Sequence, residues 1–163
     1  MKVALFIGSD SDFDTANEAV EILKEFGVSF CLEVTSAHRS PERTRNLVSD
    51  LEGQGVQVFI AVAGKAAHLA GVVASQTRKP VIGVPAGGGG LNGLDALLST
   101  VQMPRGIPVA CMGIGKSGAV NAALLAIEIL SLKDPSIAEQ IAIYREQMAE
   151  KVKQASDKIK ERI

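Results

Sequence analysis

Five short apolar runs, "KVALFIG", "SFCLEVTS", "VQVFIAVAG", "PVIGVP" and "PVACMGI", are separated by stretches whose apolar residues recur every three or four positions. This alternation constrains the fold more than any other feature of the chain. Continuous β-branched runs suit strands buried on both faces, and an intervening helix is the ordinary way to return the chain to a parallel neighbour. The expectation is a three-layer α/β fold, a doubly wound parallel sheet of the flavodoxin or Rossmann kind. "DTANEAVEILKEFG" predicts a first helix with Ala16, Ala19, Val20, Leu23 and Phe26 on one face, stopped at Gly27. A second helix begins near Pro41, a residue suited to the first helical turn. Others are expected around Ala66 to Gln76, Leu94 to Val101 and Gly118 to Leu130.

A chain of 163 residues is long enough to bury one full core and gives no sign of two. Its 17 Lys and Arg balance 18 Asp and Glu, so no field strong enough to hold nucleic acid or an anionic membrane surface is expected. Any phosphate must be held locally. No apolar run is long enough to span a bilayer, and the one that opens the chain is too short for a signal peptide, so a cytoplasmic protein is expected. Cys31 and Cys111 both lie inside apolar runs and have no ligand spacing, which predicts two small buried hydrophobes and no metal site.

The carboxyl end differs from the rest. Beyond an α/β unit over residues 1–133, the segment 134–163 reads as one helix rich in Lys, Glu and Gln, with Ile137, Ile141, Tyr144, Met148 and Val152 at helical spacing. A stripe this narrow can pack on its own domain or on a neighbouring subunit.

In open α/β sheets, ligands bind beyond the carboxyl ends of the strands. The loops in that place are "GSDSD", "SAHRSP", "AGKAAHLAG", "PAGGGGLNG" and "GIGKSGAVN", and both histidines of the chain, His38 and His68, fall within the set. Most are rich in Gly, Ser or Ala, which lets a ligand approach the backbone. Each motif also has a plain reading. "GSDSD" is either a turn with a helix cap or an anion and ribose site, with Ser9 and Ser11 donating and Asp12 accepting. Arg39 is either a solvated arginine or a fork for a phosphate that also meets helix amides. His68 is either a satisfied histidine at a helix start or part of the ligand rim. Asp95 and Lys116 read as solvated or structural.

Taken in order, "GSDSD", "SAHRSPER", "GKAAHLAG", "PVIGVP", "LLSTVQMPRGIPVA" and "NAALLA" closely resemble the class I N5-carboxyaminoimidazole ribonucleotide mutases of purine biosynthesis. The resemblance runs from Lys2 to the carboxyl-terminal helix. It implies an enzyme that moves a carboxylate from N5 to C4 of an aminoimidazole ribonucleotide, with no metal and no organic cofactor. It also implies a homo-octamer in which the last helix packs on a neighbouring subunit. Matched position by position, the family's phosphate and ribose contacts fall on Ser9, Asp12, Ser36 and Arg39, with Ser11 nearby. Its catalytic histidine falls on His38 and its second histidine on His68, and Ala37, Gly64, Lys65, Ala66 and Leu69 complete the expected substrate site.

An imidazole near its unperturbed pKa of about 6.5 can give a proton to the carbamate nitrogen and take one back from C4. The chain departs from the class I pattern at three places. Lys65 stands where glycine is usual and where the related class II carboxylases have a basic residue. Ala70 replaces proline, and Ala86 to Gly90 form an unusually glycine-rich loop. Lys65 either attracts a carboxylate or bicarbonate or points to solvent. Two other functions therefore stay open beside the mutase: a carboxylase that takes free carbon dioxide, and a non-catalytic nucleotide or phosphate binder of flavodoxin-like build.

Overall fold

The protein is described here from a computed structural model that covers residues 1–162; Ile163, the last residue of the expected carboxyl-terminal helix, lies outside the described residues. Among the described residues five parallel strands, β1 (Val3–Ile7), β2 (Phe30–Val34), β3 (Val58–Ala63), β4 (Val81–Pro85) and β5 (Ala110–Cys111), pair in the order β2-β1-β3-β4-β5. This is the flavodoxin-like strand order, whose switch point lies between β1 and β3. Among the described residues six α-helices connect or follow the strands: α1 (Phe13–Glu25), α2 (Pro41–Gly53), α3 (Leu69–Ala74), α4 (Leu94–Val101), α5 (Lys116–Ser131) and α6 (Pro135–Lys160).

The apolar runs become strands because the sheet needs them buried on both sides. Every residue of β1, β3 and β4 is buried. Side chains alternate along a strand, so Ala4 and Phe6 face one layer while Val3, Leu5 and Ile7 face the other. The Phe6 and Phe59 rings meet at 5.7 Å on the first face, where Val48 and Leu51 of α2 and Leu69, Ala70 and Val73 of α3 join the same core. Burying a side chain of this size contributes about 1.5–3 kcal/mol. The expected face of α1 is the buried one, with Ile22 added, and the helix ends at Glu25, capped by Phe26 and followed by Gly27, whose φ of 62° suits glycine. Val28 N–H then donates to the Leu23 carbonyl at 2.9 Å, closing the turn that leads to β2. Ala70, where the resembling family has proline, is buried, and its Cβ lies 3.1 Å from the place a Cβ on Gly83 would take. Helix α3 thus packs tightly against β4.

Three expectations are corrected. Helix α3 starts at Leu69 and not at Ala66, because Lys65 has a left-handed φ of 55° and two tight turns follow it, Ala67 N–H to Lys65 O and His68 N–H to Ala66 O, each 2.9 Å. Strand β5 keeps only Ala110 and Cys111, since an edge strand has one neighbour and Pro108 has no N–H to donate. The cysteines are half-buried and not fully buried, because Cys31 and Cys111 sit on the two edge strands. Even so, burial pushes both thiols up from their ordinary pKa, which keeps them protonated.

The chain forms two compact units, residues 1–127 and from Glu128 onward, so α5 contributes to both. In the second unit Asp134 caps α6, accepting from the Ser136 amide at 3.3 Å and its hydroxyl at 2.6 Å, and Arg145 pairs with Glu128. Along α6, Ile137 is buried, Ile141 and Tyr144 are half-buried, and Ile143, Met148, Val152 and Ile159 are exposed. No helix among the described residues is long and apolar enough to cross a membrane.

Candidate active site

Beyond the carboxyl ends of the strands lies a cleft of about 610 Å³, and every site residue named from the sequence lines it: Ser9, Ser11, Asp12, Ser36, Ala37, His38, Arg39, Gly64, Lys65, Ala66, His68 and Leu69. The loops that carry them follow β1 and β3, the strands that flank the switch point, and β2, the neighbour of β1. Sequence reasoning missed Gly8, Ala63 and Gly87 to Gly89, which also line the cleft. The loop after β4 was a legible candidate, because the same rule of position applies to it. Gly8 and Ala63 open the quoted loops "GSDSD" and "AGKAAHLAG", but a backbone group or a methyl has no chemistry that would single it out there.

The loop after β2 is tied down by hydroxyls. Thr35 N–H donates to the Ile7 carbonyl at 2.9 Å, and the buried Thr35 and Thr44 hydroxyls meet at 2.8 Å. Ser36 N–H donates to Ser40 Oγ at 3.0 Å, so Ser40 is engaged inside the loop and makes no capping bond to α2. Such a turn holds His38 and Arg39 on the cleft although both are exposed. Arg39 is already half committed: Nη2 donates to the Gly8 carbonyl at 2.9 Å and Nε to Ser36 Oγ at 3.4 Å. These bonds orient the guanidinium across the ends of β2 and β1.

His38 Nε2 and His68 Nδ1 are 2.8 Å apart, and the two rings meet nearly edge to face at 85°. One imidazole must donate and the other accept, so a proton at the donor nitrogen is shared with the partner ring. His68 reaches this place from the residue before α3, held by the two tight turns that begin at Lys65.

"GSDSD" forms the turn and cap that its composition allows, and its Ser9, Ser11 and Asp12 also line the cleft. Ser9 caps the short 3₁₀ turn Asp10–Asp12 by accepting from Ser11 N–H at 3.4 Å, and its hydroxyl donates to Asp10 Oδ1 at 2.9 Å. The Ser9 hydroxyl and the Ser11 amide hold the Asp10 carboxyl below the usual carboxylate range. Asp12 makes no side-chain cap to α1. Its carboxylate lies instead between the ends of β1 and β3, with Oδ2 3.5 Å from a Cβ built on Gly8 and Oδ1 3.8 Å from one built on Gly64. Burial pushes its pKa up, while a bond from the Ser9 backbone and the Arg39 charge pull the other way. Asp95 and Lys116 are structural, Asp95 accepting from the Ala96 amide at 3.0 Å and Lys116 pairing with Glu18 at 2.9 Å. No group of three or more His, Cys, Asp or Glu among the described residues is arranged to hold a metal ion.

The family model described as AIR carboxylase matches residues 2–151. An N5-carboxyaminoimidazole ribonucleotide mutase of Methanocaldococcus jannaschii is 54% identical over 159 residues, covering 98% of each chain. One of Bacillus subtilis is 46% identical over 157 residues, covering 96% of this chain and 97% of its own. The crystal structure of Treponema denticola PurE superposes with a TM-score of 0.87 at 30% identity, covering 96% of both chains.

Proposed function

This chain belongs to the AIR carboxylase family, and on that footing we propose that it is an N5-carboxyaminoimidazole ribonucleotide mutase of purine biosynthesis. The observation that carries the reading to chemistry is the His38–His68 contact at 2.8 Å in a cleft that also holds Arg39 and several hydroxyls. A plain nucleotide binder has no need of a proton-sharing imidazole pair.

The ribonucleotide phosphate sits against Arg39, Ser36 and the Ser9–Ser11 turn, where the guanidinium and the serine hydroxyls can divide its oxygens. Asp12 accepts from the ribose hydroxyls. The substrate base then lies toward His38. The imidazolium of His38 gives its proton to N5, the C–N bond of the carbamate breaks with its electron pair left on nitrogen, and carbon dioxide is released into the cleft. The aminoimidazole is now an enamine, and C4 uses its electron pair to attack the trapped carbon dioxide. Neutral His38 takes the C4 proton, which restores the aromatic ring and the imidazolium. The proton given equals the proton taken, so the enzyme returns to its starting state with no other reactant. His68 supports the cycle by sharing the proton His38 carries.

We infer further that the protein works in the cytoplasm, because its substrate is phosphorylated and does not cross membranes unaided. It works as a homo-oligomer, the octamer of the family being the expected state. Exposed Met148 and Val152 of α6 are apolar surface that a second subunit would cover.

One assay separates the functions that the sequence left open. The N-carboxylated ribonucleotide is supplied alone, and aminoimidazole ribonucleotide is supplied separately with bicarbonate. A mutase converts the first rapidly and the second only at high bicarbonate. Turnover of the second alone would make the protein a carboxylase, and turnover of neither would leave a binder.

A further inference from the structure

We infer that Lys65 is a specificity residue that holds the carboxylate group the reaction moves. The inference rests on the mutase reading and concerns the same cleft. Lys65 lines that cleft, and its ammonium has no hydrogen bond or ion pair among the described residues. Its backbone has a φ of 55°, a left-handed conformation that glycine adopts more easily. An L-residue kept in such a place beside a ligand site is an outlier that calls for a use of its side chain.

The charges of the cleft are divided between its two sides. Arg39 follows β2, Lys65 follows β3, and β1 lies between them. Two strand spacings amount to about 10 Å. A ribonucleotide with a carboxylate on its base presents two anionic groups at opposite ends, and the cleft offers one permanent cation for each. Arg39 is the one tied to the serine hydroxyls and to the Gly8 carbonyl, which suits the phosphate. Lys65 stands three residues before His68, at the start of the two tight turns that carry His68 to its contact with His38, the group that handles the reacting proton. The group begins on nitrogen and ends on carbon. An ammonium, a compact charge with three rotatable donors on a flexible stem, can meet it in both places, which a rigid fork cannot.

The test compares two ligands that differ by the carboxylate alone, 4-carboxy-5-aminoimidazole ribonucleotide and 5-aminoimidazole ribonucleotide. Their affinities are measured by titration calorimetry for the unaltered protein, Lys65→Met and Lys65→Arg. We expect Lys65→Met to weaken the carboxylated ligand about tenfold and the other less than about twofold, with Lys65→Arg close to the unaltered protein because the carboxylated ligand holds its carboxylate in one place only, which a fork can meet. Lys65→Gly relieves the left-handed strain, folds at least as firmly, and should show the same selective loss. Equal weakening of both ligands would put Lys65 at the phosphate, and no weakening of either would put it in solvent; each result overturns the inference. Because binding is read directly, these outcomes stay distinct from failure of the mutase reading, which appears as absence of turnover by the unaltered protein.

Discussion

His38 and His68, thirty residues apart in the chain, share a hydrogen bond of 2.8 Å between Nε2 of the first and Nδ1 of the second. The contact tolerates one extra proton and not two, because two imidazolium rings have no acceptor nitrogen between them. If His38 shuttles the proton, His38→Asn should lower kcat by a factor on the order of a hundred or more, with the fold unchanged because the side chain is exposed. His68→Asn should cost less, since His38 would lose only the ring that shares its proton. Steady-state kinetics across pH, with circular dichroism of each variant, checks both expectations. Near-normal turnover by His38→Asn contradicts the assignment.

Arg39 holds Gly8 and Ser36 while facing the expected phosphate. Lysine keeps the charge but cannot make the same set of aligned contacts. Arg39→Lys should therefore weaken substrate binding by about 1–3 kcal/mol, read as a rise in KM with a smaller change in kcat. An unchanged KM would move the phosphate toward the Ser9–Ser11 amides.

Asp12 gives a prediction about stability. Burial raises its pKa above the ordinary value of 3.8, so the fold binds this proton more tightly than the unfolded chain does. The charge then costs stability at neutral pH. That cost is absent below the unfolded pKa and grows as pH rises through the folded one. Asp12→Asn should melt at or above the temperature of the unaltered protein near neutral pH, and the advantage should shrink as the solution is acidified into the carboxylate range. The same variant should bind substrate less well. Thermal melts at several pH values decide it, and an advantage that grows on acidification is the contrary result.

The exposed apolar residues of α6 test the assembly. Met148 and Val152 are 43% and 70% exposed, so charged replacements there should leave the folded chain intact. If these residues meet a neighbouring subunit, Met148→Glu combined with Val152→Glu should lower the oligomeric mass measured by light scattering. An unchanged mass would put the subunit contacts on other surfaces, such as the exposed Leu94, Leu98 and Val101 of α4.

How far the sequence carried the fold depended on how far each element is decided by local pattern. The buried strands β1, β3 and β4 were legible because an unbroken apolar run has few other uses, and the start of α2 was legible at Pro41. The short β5 was not, because "PVACMGI" cannot reveal that its strand lies at an edge. The late start of α3 depends on the backbone of Lys65, a residue that gives no sign of a positive φ. For the site, the rule that ligands bind beyond parallel strands brought the right loops together. It could not supply the distance between His38 and His68, nor the Gly8 carbonyl that orients Arg39, because both depend on how loops from different strands approach in space.

The central claim is that one site releases and recaptures the same carbon dioxide. Substrate bearing an isotopically labelled N5-carboxylate is converted in the presence of excess unlabelled bicarbonate, and the label at the C4 carboxylate of the product is measured by mass spectrometry. The account predicts that most product keeps the label, because the carbon dioxide set free beside His38 is captured by C4 before it leaves the cleft. Product labelled only to the level of the surrounding bicarbonate would contradict it and would show a carboxylase that draws its carbon dioxide from solution.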